Sequence, residues 1–232
     1  MGERLGVLGG TFDPPHVGHA IVAQDVLEAL ELDRLLVVPS GRPPHREPVF
    51  PARYRHDWVQ AVFSGAERIE VSDIELRRPG PSFTVDTLAQ VRAEANPARL
   101  FCILGSDQFR LIHTWHEFRR LSELSEIVVM CRDGCDPEPG AAEIPHRLVR
   151  VTRVDVSSTR VRERLRAGQS IRHLVPECIA EAVSSSWRAL SGNGGTIPGA
   201  ASISERHLPD PDPAWSGESE QDFPEADARF SN

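Results

Sequence analysis

Short apolar segments alternate with amphipathic ones along the first 188 residues, and this alternation restricts the fold more than any other feature. RLGVLG (4–9) is followed by a Gly/Pro-rich turn, by the amphipathic stretch 17–30 and by a second apolar segment at 33–40. A strand, a helix and a strand within residues 4–40 have the size of a βαβ crossover. Repetition of this pattern predicts an α/β fold with a Rossmann-like, doubly wound, mostly parallel sheet.

The rest of the pattern supplies four more strands and five more helices. Strands are predicted at 68–72, 98–107, 125–132 and 148–154. Helices are predicted at 52–65, 84–95, 117–123, 158–168 and 176–187, the last two forming a small C-terminal helical part of a single domain. Ser157 or Ser158 is expected to cap the helix that Gly168 ends.

The chain is divided by composition near residue 189. Residues 189–232 contain eight acidic residues, two arginines, five prolines and five glycines. Such a segment buries too little apolar surface to offset its ordering entropy. We therefore expect one folded domain over residues 1–188 and a disordered acidic, Pro/Gly-rich tail over residues 189–232.

All 26 basic residues are arginine, and the chain has no lysine. Schiff-base chemistry, pyridoxal phosphate and the lysine of a P-loop are thereby excluded. Phosphate contacts must come from arginine, histidine, backbone N–H groups or helix N-termini. The net charge of −8 argues against a nucleic-acid partner bound through a broad basic face.

The sequence predicts a cytoplasmic protein without a membrane partner. No apolar run reaches the roughly 18 residues of a membrane helix, and the N-terminus lacks the apolar stretch of a signal peptide. The four cysteines, Cys102, Cys131, Cys135 and Cys178, form no CxxC pair. We expect them to be buried thiols and predict no metal site.

The first turn, GGTFDPPHVGH (9–19), predicts a phosphate-binding site. Gly9 and Gly10 let the backbone approach a ligand, and the helix that follows presents N–H groups to anions. His16 and His19 are three residues apart, so both rings lie on one face of the helix start. One alternative is a capping and a packing histidine; another is a zinc pair, although zinc usually takes i, i+4 spacing and further ligands.

This turn resembles the HxGH signature of the nucleotidyltransferase superfamily, with His16, Gly18 and His19 in the motif positions. The second signature of that superfamily, a Ser/Thr-rich turn opening a late helix, resembles VSSTRVRERL (156–165). Further segments resemble the bacterial nicotinate-nucleotide adenylyltransferases over residues 4 to about 184. They are VPSGRPPHR (38–46), SDIELRRPGPSFTVDTL (72–88), LGSDQF (104–109), TWHEF (114–118) and GQSIRHLVPECIAEAV (168–183). Phe83, His116 and Trp58 depart from the residues common in that family.

The resemblance implies transfer of AMP from ATP to nicotinate mononucleotide in NAD biosynthesis, with pyrophosphate as the second product. It implies His16, His19 and Arg162 as catalytic residues. The implied ATP-binding residues are Gly9, Gly10, Thr11, Phe12, His16, Gly18, His19, Gly105, Asp107, Ser157, Ser158, Thr159 and Arg162. The implied mononucleotide-binding residues are His45, Arg46, Thr84, Trp115 and His116. Asp13 and Asp86 are explained equally well as turn or helix caps.

The attacking phosphate is already ionised, so this reaction needs no general base, and positioning with electrostatic stabilisation should suffice. Mg²⁺ is expected to arrive with ATP, because no carboxylate cluster would hold it alone.

An NAD-dependent oxidoreductase lacks support, since GxGxxG is missing and Asp33 precedes the second strand instead of closing it. A non-catalytic nucleotide sensor stays open until pyrophosphate release is measured. The oligomeric state is also open, and a homo-oligomer is compatible with the sequence.

Overall fold

The computed structural model describes residues 2–131 and 144–192 of this chain. Six strands form one sheet in the order β3-β2-β1-β4-β5-β6, and every neighbouring pair is parallel. The strands are β1 (Arg4–Gly10), β2 (Arg34–Pro39), β3 (Ile69–Val71), β4 (Arg99–Gly105), β5 (Glu126–Cys131) and β6 (His146–Arg150). The predicted Rossmann-like parallel sheet is confirmed.

Eight α-helices accompany these strands in the described part of the chain. They are α1 (Val17–Ala29), α2 (Ala52–Val62), α3 (Ile74–Arg77), α4 (Thr84–Ala95), α5 (Ser106–Arg110), α6 (Leu121–Leu124), α7 (Ser158–Arg166) and α8 (Glu177–Gly192). Two 3₁₀ turns lie at Ile112–Thr114 and Phe118–Arg120.

The strands are apolar because both faces of the sheet are covered. On one face, α4 contributes Val85, Leu88 and Val91 to a buried cluster. On the other face, α1 contributes Ala23, Val26 and Leu27. A third cluster lies among the C-terminal helices, where Phe50 and Trp58 pack with Val161 and Trp187. It joins α2, α7 and α8, so the small C-terminal helical part has apolar packing of its own.

Several predicted boundaries differ from the structure. The helix predicted at 117–123 is a 3₁₀ turn followed by the single turn α6, and β6 ends at Arg150 instead of continuing to 154. Helix α8 continues five residues past 187. The one-turn helices α3 and α5 were not predicted, since a single turn has no apolar repeat to detect. Gly168 ends α7 with a φ of +67° and Ser157 caps it, as predicted.

The predicted tail begins inside α8, whose last residue is Gly192, and residues 193–232 lie outside the described residues. Within the described ranges, no helix is long and apolar enough to cross a membrane.

Cys102 and Cys131 are buried as predicted, whereas Cys178 is exposed, so the expectation for that thiol was wrong. Cys178 lies in the first turn of α8, and its Sγ contacts the Ala61 carbonyl of α2 over 3.7 Å. Cys135 falls outside the described residues.

Candidate active site

The carboxyl ends of β1 and β4 lie side by side, at the point where the strand order reverses. Ligands of open α/β sheets bind in the crevice outside such a switch point. A cavity of about 390 Å³ opens here. Nine of the residues predicted for the site line it: Gly9, Gly10, Thr11, His45, Arg46, Thr84, Asp107, Trp115 and His116.

The glycines where the chain leaves β1 and β4 lie close to neighbouring side chains. A Cβ on Gly10 would lie 2.9 Å from the buried ring of Phe12, whereas one on Gly105 would lie 2.5 Å from Oδ1 of Asp107, the end of a side chain that can move aside. Phe12 itself has a φ of +49°, a backbone conformation that a bulky residue rarely adopts. Its buried ring contacts His19 edge-on, with ring centroids 4.8 Å apart. The strained backbone at Phe12 therefore places its aromatic ring against His19, one member of the histidine pair.

His16 and His19 form a stacked pair at the start of α1. Their ring centroids are 3.7 Å apart and their planes are inclined by 31°. The backbone N–H of His16 donates to Nδ1 of His19 over 3.0 Å. Because Nδ1 accepts, the neutral His19 ring must carry its proton on Nε2. His19 is therefore a hydrogen-bond donor through Nε2–H.

The charge state of His19 supports this assignment. Burial lowers the pKa of His19 well below its ordinary value, and the nearby His16 and Arg46 lower it further. Protonation is disfavoured first because the ring is buried and then because His16 and Arg46 lie nearby, so the neutral imidazole is favoured.

The N-terminus of α7 is joined to the first turn, although the two are far apart in the chain. Ser158 donates its hydroxyl proton to the Pro14 carbonyl over 2.8 Å, and Arg162 Nη1 donates to the Asp13 carbonyl over 2.6 Å. The carboxylate of Asp13 lies 3.5 Å from the same Arg162 nitrogen. The two predicted signatures therefore meet in space.

Within that junction, the hydroxyls of the second signature are partly engaged. Ser157 Oγ accepts from the backbone N–H of Arg160 over 3.2 Å, and Thr159 Oγ1 accepts from Arg162 Nη2 over 3.2 Å. The Val17 N–H, at the start of α1, donates to the Leu174 carbonyl over 3.0 Å. Among the N–H groups at the start of α1, that of Val17 is therefore already engaged within the chain. Some predicted site residues do not line the cavity: Phe12, His16, Gly18, His19, Gly105 and the α7 residues Ser157, Ser158, Thr159 and Arg162.

The opposite wall of the cavity is aromatic. Trp115 is partly buried against the core, and Phe83 and His116 stack with ring centroids 4.4 Å apart. Thr84 is the first residue of α4, so the positive end of that helix dipole faces the same wall. A planar ring carrying an anionic substituent fits these surroundings.

Sequence reasoning missed two buried residues and undervalued a third. Asp13 is 3% exposed and accepts the N–H groups of Val49 and Phe50 over 2.9 Å each, so it is more than a turn cap. Arg55 and Glu75 are also buried, and Glu75 lines the cavity. Burial raises the pKa of Glu75 despite hydrogen bonds from Thr87, Ser82 and the Gly41 backbone. Burial of charged residues, which are normally exposed, has no periodic signal in a sequence.

Among the described residues, no group of three or more His, Cys, Asp or Glu side chains is arranged to hold a metal ion. A zinc site built on His16 and His19 would need at least one further protein ligand. The two rings instead lie against each other, with centroids 3.7 Å apart and planes inclined by 31°. The zinc alternative therefore has no geometric support in this part of the chain.

Gly18 makes the stacking of the histidine pair possible, which leads to a test. A Cβ at Gly18 would lie 3.0 Å from Nδ1 and 3.1 Å from Cε1 of His16. We expect Gly18→Ala to shift the His16 ring and lower kcat about 10-fold, because small displacements of positioned groups are costly. Steady-state pyrophosphate release checks this, with Gly192→Ala as the control, since a Cβ there meets nothing within 4 Å. Unchanged kcat in Gly18→Ala would contradict the need for close packing here.

Comparison with known proteins agrees with this geometry. The cytidylyltransferase-like family model matches residues 7–164. A protein of Thermus thermophilus named as a probable nicotinate-nucleotide adenylyltransferase is 42% identical over 176 residues, which cover 76% of this chain and 94% of that protein. The chain belongs to the nicotinate-nucleotide adenylyltransferase family. A Pseudomonas fluorescens member with the same name is 40% identical over 200 residues, covering 77% of this chain and 94% of its own.

Solved structures of this enzyme type share the fold. The nicotinic acid mononucleotide adenylyltransferase of Plasmodium falciparum, complexed with NaAD, superposes with a TM-score of 0.66 at 18% identity. The match covers 82% of this chain and 97% of that chain. A second structure of the same protein, complexed with APC, gives a TM-score of 0.60 at 17% identity. At such identities the likeness concerns the fold, whereas the family membership comes from the 40–42% identical relatives.

Proposed function

We propose that this family member transfers AMP from ATP to the 5′-phosphate of nicotinate mononucleotide, giving nicotinate adenine dinucleotide and pyrophosphate in NAD biosynthesis. One observation carries the proposal. The turn after β1 and the start of α7 are hydrogen-bonded to each other beside a cavity whose far wall is aromatic. Donors for phosphates therefore lie beside a cavity with a stacking surface for a planar ring, as a reaction joining two nucleotides requires. The family membership supports the same activity.

In this proposal the chain acts by positioning and by electrostatic stabilisation. The mononucleotide phosphate attacks the α-phosphorus of ATP, and the bond to the departing pyrophosphate breaks. Negative charge grows on the oxygens in between, where preorganised donors are worth most. His16, His19 and Arg162 are the proposed catalytic residues. His19 would donate from Nε2–H without changing its protonation state.

ATP would occupy the β1 side of the crevice. Gly9 and Gly10 end β1, Thr11 and Phe12 follow in the turn, Gly18 lies in α1, Gly105 ends β4 and Asp107 lies in α5. Ser157, Ser158 and Thr159 would add hydroxyl and N–H donors from the start of α7. Mg²⁺ would enter as Mg–ATP, held mainly by the phosphates of that substrate.

The mononucleotide would occupy the aromatic side. Trp115 is proposed to stack on the pyridine ring, with His116 beside it and Thr84 near the ring carboxylate. His45 and Arg46 also line the cavity, where the His45 imidazole and the Arg46 guanidinium would donate hydrogen bonds to the substrate phosphate.

A pyrophosphate-release assay with Mg–ATP tests the proposal against a panel of acceptors. Nicotinate mononucleotide, nicotinamide mononucleotide, phosphopantetheine and glycerol phosphate are the useful members of that panel. We expect release only with the pyridine mononucleotides, and fastest with the acid form. ATP binding without release in the presence of any acceptor would identify a nucleotide sensor and overturn the proposal.

A further inference from the structure

Arg55 is the most deeply buried cation among the described residues, with 1% of its surface exposed. It lies in α2, and its guanidinium donates to three backbone carbonyls in three different places. Nε donates to Phe50 over 3.0 Å, Nη1 to Thr11 over 2.6 Å and Nη2 to Gly41 over 3.2 Å. One side chain therefore holds the first turn and both ends of the segment 41–50.

Burying a guanidinium in this way is costly, since charge loses its hydration. Burial indeed lowers the pKa of Arg55, although Asp13 and Glu75 oppose this effect. None of the hydrogen bonds of Arg55 goes to a carboxylate. An apolar residue would fill the same space without that cost, so packing alone does not account for a charged residue here.

The segment that Arg55 holds borders the proposed reaction site. Its residues Pro43, Pro44, His45 and Arg46 line the cavity. Arg46 Nε donates to Thr11 Oγ1 over 3.1 Å, and the carbonyl of the same Thr11 accepts from Arg55. At the far end of the segment, Val49 and Phe50 donate their N–H groups to Asp13, which also contacts Arg162. Arg55 therefore contacts the framework of the site, whereas Arg46 lies in the cavity wall.

We propose that Arg55 is a positioning residue for adenylyl transfer: it fixes the segment 41–50 against the first turn so that Arg46 meets the substrate phosphates. This inference rests on the proposed function. Arg55 itself does not line the cavity, and each of its three guanidinium nitrogens donates to a backbone carbonyl. Lysine cannot replace it, because a compact ammonium cannot span three carbonyls that a planar fork reaches together.

Three variants of the full-length chain test the proposal: Arg55→Met, Arg55→Lys and the double variant Arg46→Ala/Arg55→Met, beside Arg46→Ala alone. We expect Arg55→Met to lower kcat/KM about 100-fold and Arg55→Lys about 10-fold in the pyrophosphate assay. Arg53→Met is the matched control, because Arg53 lies in the same helix with a side chain that is 87% exposed. We expect it to leave both kcat and KM unchanged.

The double variant separates positioning from general destabilisation. If Arg55 acts through the segment that carries Arg46, the double variant should be within about three-fold of Arg55→Met, because the two effects are not independent. Effects that multiply would overturn the proposal, as would normal kcat/KM in Arg55→Met. If Arg55→Met does not fold, Arg55→Lys decides: wild-type kcat/KM with an unchanged melting temperature overturns the proposal.

Amide hydrogen exchange gives a readout that needs no activity. We expect Arg55→Met and Arg55→Lys to speed exchange at the Val49 and Phe50 amides, which donate to Asp13, while β4 amides exchange at the wild-type rate. Unchanged exchange at these two amides would contradict the positioning role. If the wild-type chain releases no pyrophosphate, the proposed function fails, and the exchange experiment still decides whether Arg55 fixes the segment.

Discussion

His19→Ala is expected to lower kcat by about 10²-fold or more, while the KM values of both substrates stay within a few-fold. The reason is the direction of the Nε2–H donor. Nδ1 is fixed by the His16 backbone N–H, so the other nitrogen is held in one orientation before substrate arrives. A donor that is preorganised in this way stabilises charge that develops in the transition state without reorganising. Steady-state pyrophosphate release with both substrates varied measures the separation of kcat from KM.

Two further variants sharpen this test. His19→Gln can place an amide N–H near the position of Nε2, so it should retain more activity than His19→Ala. His113→Ala is the control, since it removes an exposed imidazole that does not line the cavity. If His19→Ala kept most of its kcat, or if the loss appeared only in KM, His19 would be a binding residue and not a catalytic one.

Local patterns in the sequence were sufficient to predict the elements that carry the site. The apolar run of β1, the glycine turn and the amphipathic α1 follow one another directly in the chain. Each can therefore be recognised from the pattern of neighbouring residues alone. Thr84–Ala95 was predicted with its observed bounds because Val85, Leu88 and Val91 repeat at helical spacing. The parallel strand order follows from such units, which is why the position of the crevice was predictable as well.

Relations between distant residues were not predictable in this way. Asp13 reads as a turn residue in its own segment, and its contact with Arg162 spans 149 residues of sequence. Arg55 stands in a polar stretch, YRHDW (54–58), that resembles an exposed helix face. Its burial depends on three carbonyls that come together only after the sheet forms. Charged residues inside a domain are therefore revealed by tertiary structure, and these two connect the predicted motifs into one site.

The second large expected effect is a preference in kcat/KM between two mononucleotides that differ in the substituent on the pyridine ring. Nicotinate and nicotinamide mononucleotides differ only in a carboxylate against a carboxamide. The start of α4 at Thr84 supplies a hydroxyl and a helix dipole that favour an anion. Glu75 lines the same cavity and would repel a carboxylate, but burial raises the pKa of Glu75 and so disfavours its charged form. The hydroxyl of Thr87, which also lines the cavity, donates its proton to Glu75 over 2.7 Å.

We therefore expect the acid form to be preferred in kcat/KM by about 10²-fold or more. Two charge-assisted hydrogen bonds, each worth about 1.5–3 kcal/mol, are sufficient for that factor, and an amide NH₂ facing a donor leaves both groups unpaired. Thr84→Val keeps the shape but removes the hydroxyl, so it should reduce the preference. Trp115→Ala should instead lower kcat/KM for both mononucleotides alike, since stacking contacts the ring face and not its substituent. Equal kcat/KM for the two mononucleotides in the wild-type chain would refute the nicotinate preference and leave adenylyl transfer standing.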